Sequence, residues 1–259
     1  MNNGKRIVIS GTYSTGKTTT TTALSLATGI PLINALSARE ILTDLYPGRR
    51  FQDMTLDELL ALGLKRLEER IRAENEAYMM NETHSFISDG SVLNELIYGT
   101  VRMKVGINPG STVPHRIIKR VLGIPYKRFL RTYLDSYGVV VKNHAKEWYT
   151  DVIHLPIEFP MVSDGHRPVS EKYRILSDIE ILETFRELGF IPNIVTGNVE
   201  ERVKKIINDY KLPQTMDVSE ACVKAKIIIS KSRDAVSEKI ISQYKEPTIK
   251  EKIKIATRY

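Results

Sequence analysis

Short apolar runs alternate with longer amphipathic stretches along most of the chain. Apolar runs bounded by Gly, Pro or polar residues predict buried strands, whereas apolar residues three and four positions apart predict helices that pack along one face. The predicted strands cover residues 5–10, 29–34, 85–91, 151–156 and 190–197. One helix is predicted to begin at residue 17, and others cover residues 35–46, 55–80, 92–98, 133–148, 175–188 and 199–210. Such alternation predicts βαβ units around a parallel central sheet.

Two stretches depart from this pattern. Residues 101–131 are rich in Gly and Pro, which predicts short helices and loops rather than one long element. The α/β unit is predicted to span residues 1–212, followed by a C-terminal extension over residues 213–259. Within the extension, residues 224–229 predict an edge strand and residues 232–244 predict a helix.

Length and cysteine content restrict the class of protein. The chain has 259 residues, enough for one sizeable core with an appendage. Its single cysteine, Cys222, excludes an intramolecular disulfide framework and fits a reducing compartment. The first predicted strand begins almost at the N-terminus, and no apolar run approaches the length that spans a membrane. We therefore expect a cytoplasmic protein without a membrane anchor.

Positive charge is concentrated in two segments. Residues 101–150 contain ten Lys and Arg against two Asp and Glu, and residues 223–259 contain ten against four. Since the whole chain carries a net charge of +7, the remainder is acidic. Basic segments of this kind attract nucleotide phosphates, a nucleic acid or an acidic partner, and they also occur as ordinary solvated surface.

The strongest functional signal is the sequence GTYSTGKT at residues 11–18, between the first predicted strand and the first predicted helix. In this context the pattern G-x-x-x-x-G-K-[ST] predicts a phosphate loop, because successive backbone N–H groups and the helix N-terminus surround a phosphate chain. Lys17 is expected to reach the β- and γ-phosphates and Thr18 to ligate Mg²⁺. The residues expected to bind the nucleotide are Gly11, Tyr13, Ser14, Thr15, Gly16, Lys17, Thr18 and Thr19.

An acidic residue at the end of a neighbouring strand should complete the site, because ligands collect at the carboxyl edge of open α/β sheets. Asp89, which follows the apolar Phe86 and Ile87, is the best candidate. It is predicted to hold Mg²⁺ or to accept the proton of a hydroxyl group that attacks the γ-phosphate. The alternative is that Asp89 caps the following helix, although Ser91 is an equally good cap.

A cation is also expected near the transferring phosphoryl group, because negative charge spreads over its oxygens in the transition state. Arg167, in the Gly-containing sequence DGHR, is the candidate for a mobile guanidinium that closes over this group. The alternative is an ordinary solvated arginine. Arg174 follows it and is predicted to contact the substrate.

Six motifs follow one another along residues 5–210: GTYSTGKT, AREI, FISDGS, DGHR, RELGF and VEERVKKII. This order resembles the P-loop ATPase and kinase family typified by the ribosylnicotinamide kinase domain, an AAA-type group of ATP-binding small-molecule kinases. The resemblance implies an α/β P-loop NTPase fold, a three-layer sandwich with a mostly parallel sheet and a helical lid insertion, here residues 101–150. It also implies that Arg39, in AREI, faces the acceptor and that Arg167 is the lid arginine.

Related proteins with this pattern are small-molecule kinases, particularly of nucleosides, or ATP- and GTP-binding proteins of undefined activity. The chain departs from the family pattern at Asn34 and Gly90, where many relatives carry an acid and an arginine. Both positions bear on the acceptor, so the resemblance does not imply a particular substrate. No N-K-x-D run follows a strand, which favours ATP over GTP.

The favoured hypothesis is a kinase that uses ATP and Mg²⁺ to phosphorylate a hydroxyl of a small molecule, most plausibly a nucleoside or a nucleotide-like acceptor. Catalysis is assigned to Lys17, Asp89 and Arg167, metal binding to Thr18 and Asp89, and substrate binding to Arg39, Asp89, Arg116 and Arg174. The alternative is a module that binds and hydrolyses ATP and acts on RNA or a protein through its basic segments. A nucleic-acid anchor in the tail and a homodimer also stay open.

Overall fold

The central sheet is formed by β1 (Arg6–Ser10), β2 (Phe86–Asp89), β3 (Asp151–His154) and β4 (Asn193–Ile194). The computed structural model describes residues 4–49, 54–105, 124–160 and 171–244, together with residues 246, 248 and 249. Within these residues the strands are parallel and lie in the order β2-β1-β3-β4. The predicted α/β fold with a parallel sheet is therefore confirmed.

The helices of the described residues are α1 (Lys17–Thr28), α2 (Ala38–Leu45), α3 (Leu56–Met79), α4 (Asn94–Val105), α5 (Ile124–Trp148), α6 (Glu171–Glu187), α7 (Val199–Tyr210) and α8 (Val218–Gln243). The predictions for α3 and α7 are close to these bounds. Helix α5 begins earlier than residue 133, because Pro125 lies in its first turn, where a proline is tolerated. No helix in the described residues combines the length and apolarity needed to cross a membrane.

The predicted strand at residues 29–34 is reduced to a single bridge between Leu32 and Ile87. The Ile33 N–H donates to the Ile87 carbonyl at 2.9 Å, and the Ile87 N–H donates to the Pro31 carbonyl at 2.8 Å. Pro31 has no N–H, so it cannot donate to a longer ladder. The segment nevertheless occupies the position next to β2, which makes it the fifth member of the series along the sheet.

Both faces of the sheet are covered by helices. On one face, Val8, Phe86 and Val152 belong to a buried apolar cluster with residues of α3, α4, α5 and α6. On the other face, Ile7 and Ile9 pack with residues of α1, α7 and α8. Because both faces are buried, the strands are continuous apolar runs rather than alternating ones. This gives the three layers expected of the fold.

The expected edge strand at residues 224–229 is wrong, because these residues belong to α8. Its buried positions are Val218, Ala221, Cys222, Ala225 and Ile229, spaced by three and four residues, and the first four share the apolar cluster of α1 and α7. Helical packing of this face on α1 buries more apolar surface than an edge strand would. The first half of α8 thus contributes to the core of the α/β unit, and the boundary at residue 212 stays a prediction.

Candidate active site

The phosphate loop, residues 11–18, connects β1 to α1 and has three residues with positive φ. These are Gly11 (140°), Ser14 (57°) and Gly16 (85°). A Cβ on Gly11 would lie 2.6 Å from the Leu155 carbonyl oxygen and 2.9 Å from Thr15 Oγ1. Glycine is therefore required at Gly11 by both conformation and space. The backbone curls tightly here, as a loop that surrounds a phosphate chain must.

The N-terminus of α1 differs from those of α2, α3 and α7. Helices α2 and α7 are closed by capping boxes at Ser37 and Asn198, and at α3 the Thr55 N–H donates to Glu58, whereas α1 begins at Gly16 without a side-chain cap. The first turn of α1 also contains no acidic residue. Its N–H groups and the positive end of its dipole consequently point into the phosphate loop with no acidic residue in the helix's own first turn beside them. This arrangement favours an anion.

Lys17 and Thr18, at the end of the loop, each donate a hydrogen bond to an oxygen atom. The Lys17 ammonium donates to the Thr12 carbonyl, which also accepts a hydrogen bond from Thr15 Oγ1 at 3.1 Å. Thr18 Oγ1 donates to Asp89 Oδ2 at 2.7 Å. A hydroxyl and a carboxylate at this separation are hard oxygen donors of the kind that Mg²⁺ prefers, with its other positions left to water and phosphate. The residues present therefore fit the predicted ion.

Asp89 reaches Thr18 because β1 and β2 are parallel and Ile9 lies beside Asp89 in the register. The expected helix cap is supplied by Ser91, whose Oγ accepts a hydrogen bond from the Leu93 N–H at 3.2 Å. The alternative role of Asp89 as a helix cap is thus taken by Ser91. The carboxylate of Asp89 is directed at the phosphate loop.

The turn after Asp89 is fixed by Arg70 of α3, which the sequence analysis did not identify. Its Nη2 donates to the Asp89 carbonyl at 3.0 Å, and its Nη1 donates to Ser88 Oγ at 2.9 Å. The turn includes Gly90 at a φ of 81°. Local sequence gives no sign of this role, since Arg70 looks like an ordinary polar position on an amphipathic helix.

A pocket lies beside this turn. It is lined by Ala35, Leu36, Arg66, Leu67, Arg70, Ser91, Val92, Glu95 and Tyr137. Arg66 of α3 and Glu95 of α4 form an ion pair on its wall. Tyr137 is 6% exposed, and its hydroxyl has no hydrogen-bond partner among the described residues. Burial raises the pKa of Tyr137, so the hydroxyl keeps its proton and can donate it to a ligand.

Two buried arginines hold the outer side of the phosphate loop. Arg174 is 1% exposed, and its Nε donates to the Tyr13 carbonyl at 2.9 Å while its Nη2 donates to the Phe159 carbonyl at 2.8 Å. Arg202 of α7 is fully buried and donates from Nη1 to the Thr15 carbonyl at 2.6 Å. The observed contacts of Arg174 are with the carbonyls of Tyr13 and Phe159 and with the Glu171 carboxylate, and its predicted substrate contact stays a prediction.

Arg202 also pairs with Glu158, with 2.5 Å between Nη2 and Oε2. Burial opposes ionisation of Glu158, yet hydrogen bonds from Arg202 and from the Gly197 amide outweigh it and lower the pKa of this carboxyl. Sequence analysis missed Arg202 because it reads as one of several charges in the amphipathic VEERVKKII helix. Its full burial is visible only in the fold.

The remaining predicted residues are placed as follows. Thr15 is buried within the phosphate loop, and Thr19 lies in the first turn of α1. Arg39 is half-buried in the first turn of α2. Arg116 and Arg167 lie outside the described residues, as do residues 106–123 of the predicted lid. Their roles stay predictions.

The fold and this site together define a P-loop NTPase: a parallel α/β sheet, a phosphate loop between its first strand and helix, and an acid on the adjacent strand. The sequence matches the AAA domain family over residues 6–202, and the chain belongs to that family. The predicted P-loop family is thereby confirmed, while the closer resemblance to the ribosylnicotinamide kinase domain stays a prediction.

Solved structures with a similar fold include deoxyadenosine kinase from M. mycoides with bound dATP. That structure is 17% identical, with a TM-score of 0.53, and the similarity covers 80% of this chain and 99% of the kinase. The same enzyme with its products dCMP and a flexible dCDP is 16% identical, with a TM-score of 0.51, covering 80% and 98%. At these identities the likeness concerns the fold alone. A search of curated proteins gave no match.

Proposed function

We propose that this protein is a kinase that transfers the γ-phosphoryl group of ATP to a hydroxyl of a small, nucleoside-like acceptor. The observation that carries the proposal is the hydrogen bond of 2.7 Å between Thr18 and Asp89. It brings the acid of β2 to the end of the phosphate loop, while Ser91 and Val92, just after this acid, line the pocket described above. We propose this pocket as the acceptor pocket, next to the site proposed for ATP.

Each residue then has a defined task. The Lys17 ammonium exchanges its contact with Thr12 for the β- and γ-phosphate oxygens, and the α1 N-terminus stabilises the same negative charge. Mg²⁺, when bound by Thr18 and Asp89, neutralises charge on the phosphate oxygens. The alternative task of Asp89 is to orient the attacking hydroxyl and to accept its proton as the new P–O bond forms and the bond to ADP breaks. Arg167 is proposed as the lid cation that stabilises the transferring group.

The lining of the acceptor pocket supports a nucleoside-like molecule. Leu67 and Val92 offer apolar surface for a flat ring, while the Arg66–Glu95 pair and the Tyr137 hydroxyl offer donors and acceptors for ring and sugar atoms. The fold shared with an enzyme named deoxyadenosine kinase adds support for this class. Additional contacts from Arg39, Arg116 and Arg174 remain part of the proposal.

The test is to incubate the protein with ATP, Mg²⁺ and a panel of nucleosides and to detect phosphorylated products by mass spectrometry. We expect one group of nucleosides to be phosphorylated, and we expect Lys17→Ala to abolish turnover while the protein stays folded. Lys65→Ala, on α3 outside the phosphate loop, is the matched control and should keep full activity. Turnover retained by Lys17→Ala, or ADP release that no acceptor accelerates, would overturn the proposal.

A second candidate function, an ATP-controlled module that binds RNA, rests on the exposed second half of α8. This half carries Lys231, Arg233 and Lys239, and its solvent-facing side has little contact with the core. RNA binding that weakens steeply with salt and is lost on truncation after Ser230 would support it. Truncation at this point spares Ile229, the last residue of α8 that is buried. The expected homodimer and cytoplasmic location likewise remain proposals.

A further inference from the structure

Helix α6 contacts the backbone of two successive residues of the phosphate loop, Thr12 and Tyr13. Asp178 Oδ1 accepts a hydrogen bond from the Thr12 N–H at 3.3 Å. One turn earlier, Arg174 Nε donates to the Tyr13 carbonyl at 2.9 Å. Residues four positions apart lie on the same face of a helix, so α6 presents an acceptor and a donor side by side to the loop. Its position is therefore coupled to the backbone that would hold the phosphates.

Asp178 is held in turn by His154, the last residue of β3. His154 is fully buried, with Nε2 at 3.4 Å from the Asp178 carboxylate and Nδ1 at 3.4 Å from Ser10 Oγ. A carboxylate only accepts hydrogen bonds, so Nε2 carries the proton, and in the neutral ring Nδ1 accepts from the Ser10 hydroxyl. The chain Ser10–His154–Asp178 thus ends on the Thr12 amide of the phosphate loop.

The three hydrogen-bonded residues have the types found in a hydrolase triad, but their burial excludes that role. Ser10 is 3% exposed at the end of β1, beneath the phosphate loop, so its hydroxyl cannot reach a substrate. A nucleophilic serine must lie at the surface of its site, next to donors for the oxyanion. The hydrogen-bonded residues Ser10, His154 and Asp178 therefore act on the phosphate loop itself.

We propose that Asp178 is a positioning residue of the phosphate loop, oriented by His154, and that it acts on the bound polyphosphate through the backbone of Thr12. The proposal rests on the proposed nucleotide site. Thr12 is held through both peptide groups that flank its Cα: Asp178 accepts from its N–H, while Lys17 and Thr15 Oγ1 donate to its carbonyl. Loss of the first contact frees the peptide group on one side of Thr12, and with it the orientation of the next peptide group, whose carbonyl fixes the ammonium of Lys17. Asp178 thereby preorganises Lys17 without touching the nucleotide.

Two variants of nearly equal shape separate positioning from simple packing. Asp178→Asn keeps an oxygen that accepts from the Thr12 N–H, whereas Asp178→Leu fills the same space without an acceptor. We expect Asp178→Leu to weaken ATP binding about tenfold in calorimetry and to accelerate hydrogen exchange at the Thr12 amide. Asp178→Asn should stay within about twofold of the wild type in both measurements.

The role of His154 is tested through its dependence on Asp178. His154→Gln retains an amide N–H near the position of Nε2 and should preserve ATP affinity, whereas His154→Ala should weaken it about threefold. In the Asp178→Leu background, His154→Ala should have no further effect on ATP affinity, because the residue through which it acts is gone. Glu183→Ala, at an exposed position of the same helix, is the matched control and should bind ATP normally.

The results distinguish this inference from the proposed function. Asp178→Leu with normal ATP affinity and normal protection of the Thr12 amide would overturn the inference, and so would additive effects of Asp178→Leu and His154→Ala. If the wild-type protein binds ATP but phosphorylates no acceptor, the proposed kinase function is wrong, whereas the proposed role of Asp178 is unaffected.

Discussion

Gly11 shows how far a single residue of the site follows from sequence. The spacing of Gly11, Gly16, Lys17 and Thr18 predicts the phosphate loop because each position has a separate physical requirement. The structure adds the reason at Gly11, where the chain passes against the carbonyl of Leu155, beyond the end of β3. That contact joins segments more than a hundred residues apart, so the motif indicates the glycine but not the neighbour that requires it.

Gly11→Ala should therefore damage both stability and nucleotide binding. The new Cβ would approach the Leu155 carbonyl to 2.6 Å at a φ of 140°, a region that L-residues rarely adopt. We expect the free energy of unfolding in urea to fall by about 2 kcal/mol and ATP binding to be lost. Gly63→Ala, inside α3, where the added methyl would meet Glu95 Oε2 at an ordinary contact distance of 4.0 Å, should instead stabilise the protein by about 0.5 kcal/mol. Equal effects of the two variants would contradict this account.

The pair between Glu158 and Arg202 predicts a dependence of stability on pH. The pKa of Glu158 is lowered from its ordinary value of 4.5 in the folded protein. Its contribution to stability is therefore complete above pH 4.5 and is lost as pH falls through the lowered value. Glu158→Gln should reduce the free energy of unfolding by about 1–2 kcal/mol at pH 7, and the difference should vanish in acid.

The control for this titration is Glu171→Gln. Glu171 lies 3.5 Å from Arg174, but its side chain is 52% exposed, so it should change stability by less than about 0.5 kcal/mol at any pH. Chemical unfolding monitored by circular dichroism between pH 3 and pH 7 measures both variants. A pH-independent effect of Glu158→Gln would show that the charge of Glu158 contributes nothing.

At the scale of elements, the spacing of apolar residues and the local helix or strand propensity predict an element correctly where one of its faces is clearly apolar. Helices α3 and α7 were predicted because their apolar spacing and capping residues agree. The strand predicted at residues 224–229 is wrong because its three successive β-branched residues, Ile227, Ile228 and Ile229, favour a strand only locally. Only Ile229 of the three is buried, and the helix is fixed by Ala221, Cys222 and Ala225 against the core. Tertiary packing decided the element, and local sequence does not encode it.

The packing of α8 predicts a sharp difference between two adjacent substitutions. Ala225 is fully buried, whereas Lys226 is exposed. Ala225→Glu places an unpaired charge in the core and should lower the free energy of unfolding by about 3 kcal/mol or more, while Lys226→Glu should change it by less than about 0.5 kcal/mol. Both are measured by urea denaturation. If Ala225→Glu instead leaves the main unfolding transition unchanged and the residues after 212 unfold in a separate transition, the predicted two-part organisation is supported.

At the scale of the whole molecule, the parallel sheet brings the parts of the site to one edge. Ser10, Asp89 and His154 end neighbouring strands, and this convergence follows from the alternating pattern of strands and helices. The proposed acceptor pocket does not follow from it, because Arg66, Glu95 and Tyr137 come from three helices. Each has the spacing of an ordinary helical position, and their meeting depends on how α3, α4 and α5 pack.

Tyr137 offers the sharpest test of that pocket, since stability and activity should respond in opposite directions. Its hydroxyl is buried without a partner among the described residues, which costs free energy in the unliganded protein. Tyr137→Phe should therefore leave the free energy of unfolding unchanged or raise it by up to about 1 kcal/mol. If an acceptor supplies the missing partner, the same variant should raise the KM for the acceptor about tenfold and leave the KM for ATP unchanged.

The control is Tyr133→Phe, one turn earlier on α5, where the ring stacks on Tyr137 without lining the pocket. It should leave both KM values at the wild-type level. A buried polar group without a hydrogen-bond partner destabilises the unliganded protein, and a protein retains such a group when a ligand supplies the missing partner. A variant that gains stability and loses affinity for the acceptor therefore identifies a binding residue. An unchanged acceptor KM in Tyr137→Phe would instead mean that the acceptor binds elsewhere along the sheet edge.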